Sequence, residues 1–172
     1  ITLISMDKAR ILVLVLVGFA SLFGIISTAT TGWVTSNNLN LGLFRGCVSG
    51  TCRDIEPDCG GNGFIIPDCT EYNAARAFSV MGLIFGVGAL ILALLAALGK
   101  GLSTKIEAAL NLVSGFCIFL AMCIYAGWFN DQPGNFGDLG YSFALCVIAW
   151  LLYVGAGVFL LVGGSKLNES TA

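Results

Sequence analysis

The chain has 172 residues, 57% of them hydrophobic and 10% charged, with a formal net charge of −2. Soluble domains carry about a quarter charged residues, so this composition excludes an ordinary water-soluble globule, and the small negative charge excludes a broadly basic nucleic-acid surface. Histidine is absent, which removes the commonest acid–base group and metal ligand.

Residues 1–10 carry Asp7, Lys8 and Arg10, and Met6 is a candidate native start. Ile11 to Thr31 is uncharged and, at about 1.5 Å per residue, long enough to cross a hydrocarbon core of about 30 Å. A cleaved signal peptide is the competing reading; the apolar part is long for one, and Thr28-Ala29-Thr30 is a poor cleavage site. Further spans are expected over 77–99, 106–129 and 140–163. Thr104-Lys105-Ile106-Glu107 fits a capping box at the third helix, with Asn73 and Asp138 as N-caps for the second and fourth. Asn111 is the deepest strongly polar group and is expected to hydrogen-bond a neighbouring helix. Gly82-Leu83-Ile84-Phe85-Gly86 is a small-residue packing motif, used within the bundle or between protomers.

Lys8 and Arg10 precede the first span, Lys100 and Lys105 lie between the second and third, and Lys166 is in the 164–172 tail. The 130–139 loop has no Lys or Arg. The positive-inside bias then places both termini in the cytoplasm and the 32–75 and 130–139 loops outside.

The first outer loop is the one long polar stretch, and it holds four of the seven cysteines. Leu39 to Phe44 alternates weakly, as a strand does. In Cys47-Val48-Ser49-Gly50-Thr51-Cys52, a two-residue turn at Ser49-Gly50 pairs Val48 with Thr51 and sets Cys47 opposite Cys52. Non-hydrogen-bonded cross-strand pairs lie about 4.5 Å apart at Cα, within reach of a disulfide. Cys59 and Cys69 are then left as the second pair, closing a loop containing Gly60-Gly61-Asn62-Gly63. Zinc is the alternative for four cysteines, but the spacings lack paired two-residue knuckles. Cys117, Cys123 and Cys146 read as buried apolar residues of helices.

Arg45 and Arg53 are outnumbered by Asp54, Glu56, Asp58, Asp68 and Glu71, so this loop is acidic. It is either a solvated face or a surface for cations or a basic partner. Arg76 stands at the amino end of the second helix, where the macrodipole disfavours a cation. It serves either as an interfacial anchor or as a group docked beneath the sheet, paired with an acid or backbone carbonyls.

Four spans, a large first outer loop, Trp33, Gly42-Leu43-Phe44 and the Cys47/Cys52 pair resemble the claudin superfamily, which includes peripheral myelin and epithelial membrane proteins and calcium-channel gamma subunits. Asn73 to Phe78 is similar to the start of that family's second helix, and Gly140-Tyr141-Ser142-Phe143 with Trp150 to the start of its fourth. Phe44 stands where the family has Trp, and Cys59 and Cys69 are additional. The resemblance implies an all-α membrane protein: a left-handed four-helix bundle topped by a small extracellular antiparallel sheet, with the second outer loop adding an edge. It also implies that Trp33, Gly42, Leu43, Phe44 and the Cys47–Cys52 pair stabilise that sheet and its seat. Trp33 also reads as an aromatic-belt residue, a role that can coexist with the first.

No nucleophile–base pair, carboxylate pair or phosphate loop is readable, so no enzyme, cofactor or metal is expected. The expected role is structural: self-association in one membrane or across two, at the plasma membrane and in a cell junction. Phe64-Ile65-Ile66 and Phe136 would supply contact area. Asp54, Glu56 and Asp58 belong to the same candidate interaction surface, and the alternatives are an auxiliary subunit of an ion channel and a paracellular cation pore lined by the acidic loop, with Glu56 and Asp58 as its acids. The sequon Asn168-Glu169-Ser170 falls on the cytoplasmic side in this topology. The full-length protein is therefore expected to migrate identically with and without a glycosidase; a shift on a gel overturns the topology.

Overall fold

The structure is a computed structural model that describes residues 2–56, 69–100, 103–132 and 137–169, with 2–7 and 164–169 as backbone only. The elements in chain order are α1 (Thr2–Ala29), β1 (Val34–Thr35), β2 (Leu39–Leu41), β3 (Arg45–Val48), β4 (Thr51–Asp54), α2 (Cys69–Ala97), α3 (Thr104–Asn130), β5 (Asp138–Leu139) and α4 (Tyr141–Glu169). All four helices are long and apolar enough to cross a membrane. Each packs on its neighbours in sequence, and α4 returns to α1, so α1 and α3 face each other across the bundle.

The bundle is arranged for lipid. Large side chains such as Ile84, Leu151 and Val162 point outward, while Ala20, Ala89, Ala93, Ala108, Ala149 and Ala156 line the interior. Lipid tails are as apolar as leucine, so burying leucine gains little; small residues let backbones approach and exchange short polar bonds. Ser114 Oγ donates to the Gly82 carbonyl at 2.7 Å, Thr28 and Ser79 hydroxyls meet at 2.8 Å, and Ser21 meets the Tyr153 hydroxyl at 2.9 Å. The Gly82–Gly86 step is thus used within the bundle. A Cβ on Gly86 would lie 2.1 Å from the Tyr153 hydroxyl, and one on Gly82 2.7 Å from Ile118.

The sheet crowns one end in the order β4-β3-β2-β1-β5, all antiparallel. Ser49 and Gly50 both have positive φ, 49° and 83°, as a type I′ hairpin turn requires. Val48 faces Thr51 and Cys47 faces Cys52. β4 ends at Asp54, and the strand expected over Leu39 to Phe44 spans only Leu39–Leu41, as β2. β5 comes from the α3–α4 connection and pairs with β1, closing the sheet over the bundle.

Several local expectations are corrected. α2 begins at Cys69, so Asn73 lies inside the helix and does not cap it. α3 is capped by Ser103, whose hydroxyl accepts from the Lys105 amide; Thr104 is already helical, and Glu107 leaves the cap for a contact with α1 described below. Asp138 is in a strand rather than at a helix cap, because the chain ahead of α4 is tied down by Gly140 N–H to Trp33 O and Ser142 N–H to Gly32 O, both 2.9 Å. Asn111 donates to the Glu107 carbonyl of its own helix at 2.9 Å, not to a neighbour. Cys117 and Cys146 are buried, but Cys123 is exposed on the outer flank of α3.

Gly86→Ala is expected to destabilise the protein by about 1–3 kcal/mol, the usual cost of overpacking. Gly155→Ala, with nothing near its Cβ position, is expected to leave the melting temperature unchanged or slightly raised. Thermal unfolding in detergent compares the two.

Candidate functional site: the seat of the sheet

The polar chemistry at the sheet end converges on Arg76. Arg76 lies in the second turn of α2 and reaches from it into loop backbone. It is 7% exposed. Its Nε donates to the Leu43 carbonyl, Nη2 to Ile55 O at 3.2 Å, and Nη1 to Glu56 O at 3.4 Å and Asn73 Oδ1 at 2.9 Å. One guanidinium thereby holds the β2–β3 connection and the end of β4 together. Arginine suits this because its fork carries five donors in a fixed plane. The guanidinium lies 4.7 Å from the Tyr72 ring centroid and 5.5 Å from that of Phe44, where the ring faces stabilise a desolvated cation. Of the two sequence readings, docking is the geometry observed, and its partners are carbonyls rather than an acid.

Gly42, Leu43 and Phe44 form the seam being held. Gly42 sits against the top of α1; a Cβ there would lie 2.3 Å from the Thr30 carbonyl oxygen. Its own carbonyl accepts from the Tyr72 hydroxyl, and its amide donates to Arg45 O at 2.8 Å. Leu43 is fully buried, and Phe44 is 41% exposed with its carbonyl accepting from Ile55 N–H at 2.9 Å. Phe44 therefore covers Arg76 from the solvent side.

Trp33 is fully buried beneath the sheet, not at a lipid-facing belt. Its Nε1 donates to Ser27 O at 2.7 Å, and its ring packs on Tyr125 at 4.7 Å and edge-on to Phe143 at 5.8 Å. Tyr72 bridges this cluster to Trp128 at 5.0 Å. Cys47 and Cys52 are joined by a disulfide across β3 and β4, with Cα atoms 3.9 Å apart. Cys69 is also disulfide-bonded and sits at the first turn of α2, beside Asn73; Cys59 lies outside the described residues. So do Asp58, Phe64, Ile65, Ile66 and Phe136. Asp54 pairs with Arg45 at 2.9 Å on the exposed hairpin, so its charge is locally matched. Glu56 meets Arg76 through its backbone. No group of three or more metal-ligating side chains occurs among the described residues.

Sequence reasoning missed Tyr72, Asn73, Tyr125 and Trp128 as parts of the seat. Tyr72 and Asn73 precede Arg76 by four and three residues, a helical spacing that faces them toward it. That signal was readable, but only for a helix already extended back to Cys69.

Four apolar helices carrying a disulfide-braced antiparallel sheet on one end define a claudin-like tetraspan membrane protein. Residues 8–160 match the model of the PMP-22/EMP/MP20/Claudin family, and the chain belongs to that family. It is similar to epithelial membrane protein 1 of Oryctolagus cuniculus, 31% identical over 144 residues, which cover 80% of this chain and 85% of the relative. Epithelial membrane protein 1 of Homo sapiens is 27% identical over 141 residues, at the same coverage of both chains.

Arg76→Lys keeps the charge but loses the fork. Hydrogen bonds to charged groups contribute about 1.5–3 kcal/mol each, so the substitution is expected to destabilise by about 2–4 kcal/mol. The check is thermal unfolding, together with surface biotinylation; unchanged stability and surface level would refute the clamp.

Proposed function

We propose that this protein is a structural, non-catalytic membrane protein that self-associates and mediates contact through its sheet, displayed on the outer face of the plasma membrane. The observation that carries this reading is that the sheet is bonded to the bundle as one body by Arg76, Tyr72 and Trp33, while the β3–β4 hairpin beyond it stands free of the helices. Every residue of β4 is exposed, as are Arg45 and Val48 of β3. A rigid, exposed protein surface on a bundle that shows no catalytic constellation among the described residues fits recognition better than chemistry. Family membership supports the same reading.

The outward placement of the sheet rests on charge and redox. Lys8, Lys100 and Lys105 cluster at the end opposite the sheet, as cytoplasmic flanks do. The Cys47–Cys52 bridge requires an oxidising compartment.

Two measurements test the proposal. An epitope placed in the 130–139 loop should label on intact cells, and tags on either terminus only after permeabilisation. Differently tagged copies should co-purify and concentrate where expressing cells touch. Val48→Glu, on the exposed hairpin, should lower that association several-fold without lowering the melting temperature. Purification as a monomer with a stoichiometric ion channel would instead support an auxiliary subunit and overturn self-association.

A further inference from the structure

We infer that Arg10 and Glu107 form a charge-compensated latch that closes the bundle at the end opposite the sheet, so that α1 is locked only once α3 has been seated. Arg10 Nη1 donates to Glu107 Oε2 at 2.9 Å. The Glu107 side chain is 2% exposed and that of Arg10 17%. The pair is therefore buried inside the protein.

Its placement is what gives it consequence. α1 and α3 are opposite members of the four-helix ring, so a contact between them crosses the interior. Arg10 precedes Ala29 by 19 residues, about 29 Å along a helix. That is close to one hydrocarbon thickness of about 30 Å, which sets the pair at the far apolar boundary. Apart from Asn111, the interior just above it is lined by apolar side chains: Val13 and Val17 of α1, Ala89 and Ala93 of α2, Ala108 of α3 and Ala156 of α4 are all buried. The other described basic residues of this end, Lys8, Lys100 and Lys105, are exposed. Among the described residues, Arg10 is the cation that meets Glu107. One turn deeper, Asn111 is fully buried and donates to the Glu107 backbone carbonyl at 2.9 Å, which stiffens the turn presenting the carboxylate.

A lone ion on an isolated helix must reach for the headgroups or remain uncompensated. Arg10 on α1 and Glu107 on α3 are both buried only when the two helices have met. The sheet end has its own contact to α3, Trp33 of the α1–β1 connection against Tyr125. The two ends can therefore be loosened separately.

The experiment uses the full chain in detergent and in lipid nanodiscs. Arg10→Met and Glu107→Met should each lower the yield of monodisperse protein at least five-fold, because one buried charge loses its partner. The double Arg10→Met/Glu107→Met variant, which removes both charges at similar volume, should recover to within about two-fold of the native yield. Lys8→Gln removes a charge from the same flank and should change nothing, which separates the latch from a topology effect. Amide exchange in the folded double variant should remain native over 39–54. Single variants indistinguishable from the native chain would overturn the latch. So would a double variant no better than the worse single one.

Discussion

The sheet stays on the bundle because one buried cation has nowhere else to find its hydrogen bonds. Arg76 is removed from water and presented by a rigid helix to three loop carbonyls, those of Leu43, Ile55 and Glu56. A buried guanidinium must be satisfied, so the loops cannot drift without exposing it or stranding its donors. Everything at this end follows from that constraint. Gly42 must be glycine-small where it passes the top of α1, Tyr72 adds its hydroxyl beside the same seam, and Phe44 closes the outer side. Two-residue and four-residue strands have little stability of their own. Their order is borrowed from the helix below and reinforced by the Cys47–Cys52 bridge.

The helices obey a different logic. In lipid, large apolar side chains gain nothing by hiding, so the interior is given to alanine, glycine, serine and a few paired polar groups. The result is a bundle in which close backbone approach and short hydroxyl bonds supply the specificity. Polar contacts punctuate its length, from Ser142 and Thr30 near the sheet, through Ser21 and Tyr153, to Arg10 and Glu107 at the far end. The aromatic cluster of Trp33, Tyr72, Tyr125 and Trp128 marks the change of regime. Outside a hydrocarbon layer, burial of large rings again contributes through the hydrophobic effect.

Much of this was legible in the chain. The four spans announced themselves by length and lack of charge, and the Cys47–Cys52 register followed from the turn between them. Helix ends were less readable. Asn73 and Asp138 have cap chemistry, yet one is absorbed by a longer α2 and the other by a strand. Glu107 had the right spacing for a capping box, but a diagonal partner on α1 claimed it. Local rules assign a side chain to the nearest backbone donor; they do not see a cation delivered from 97 residues away. The candidate site shows the same division. Arg76 stood out because its position defied the helix dipole and the charge bias. Tyr72, Tyr125 and Trp128 did not, since aromatics near span ends fit an interfacial belt equally well.

By itself, the sequence determined that the protein lives in a bilayer, that it crosses four times, and that a braced hairpin rises from its first long polar loop. Hydropathy and turn chemistry act over short distances, and a linear reading captures them. Only the tertiary structure decided which polar groups face inward and whom they meet: Arg76 with carbonyls instead of an acid, Trp33 under the sheet instead of in the belt, and Glu107 with Arg10 instead of its own helix end. Those choices depend on which helices lie side by side and which lie across from one another. Helix order around the ring, a property of packing and not of any one segment, is what brings distant charges within hydrogen-bond reach.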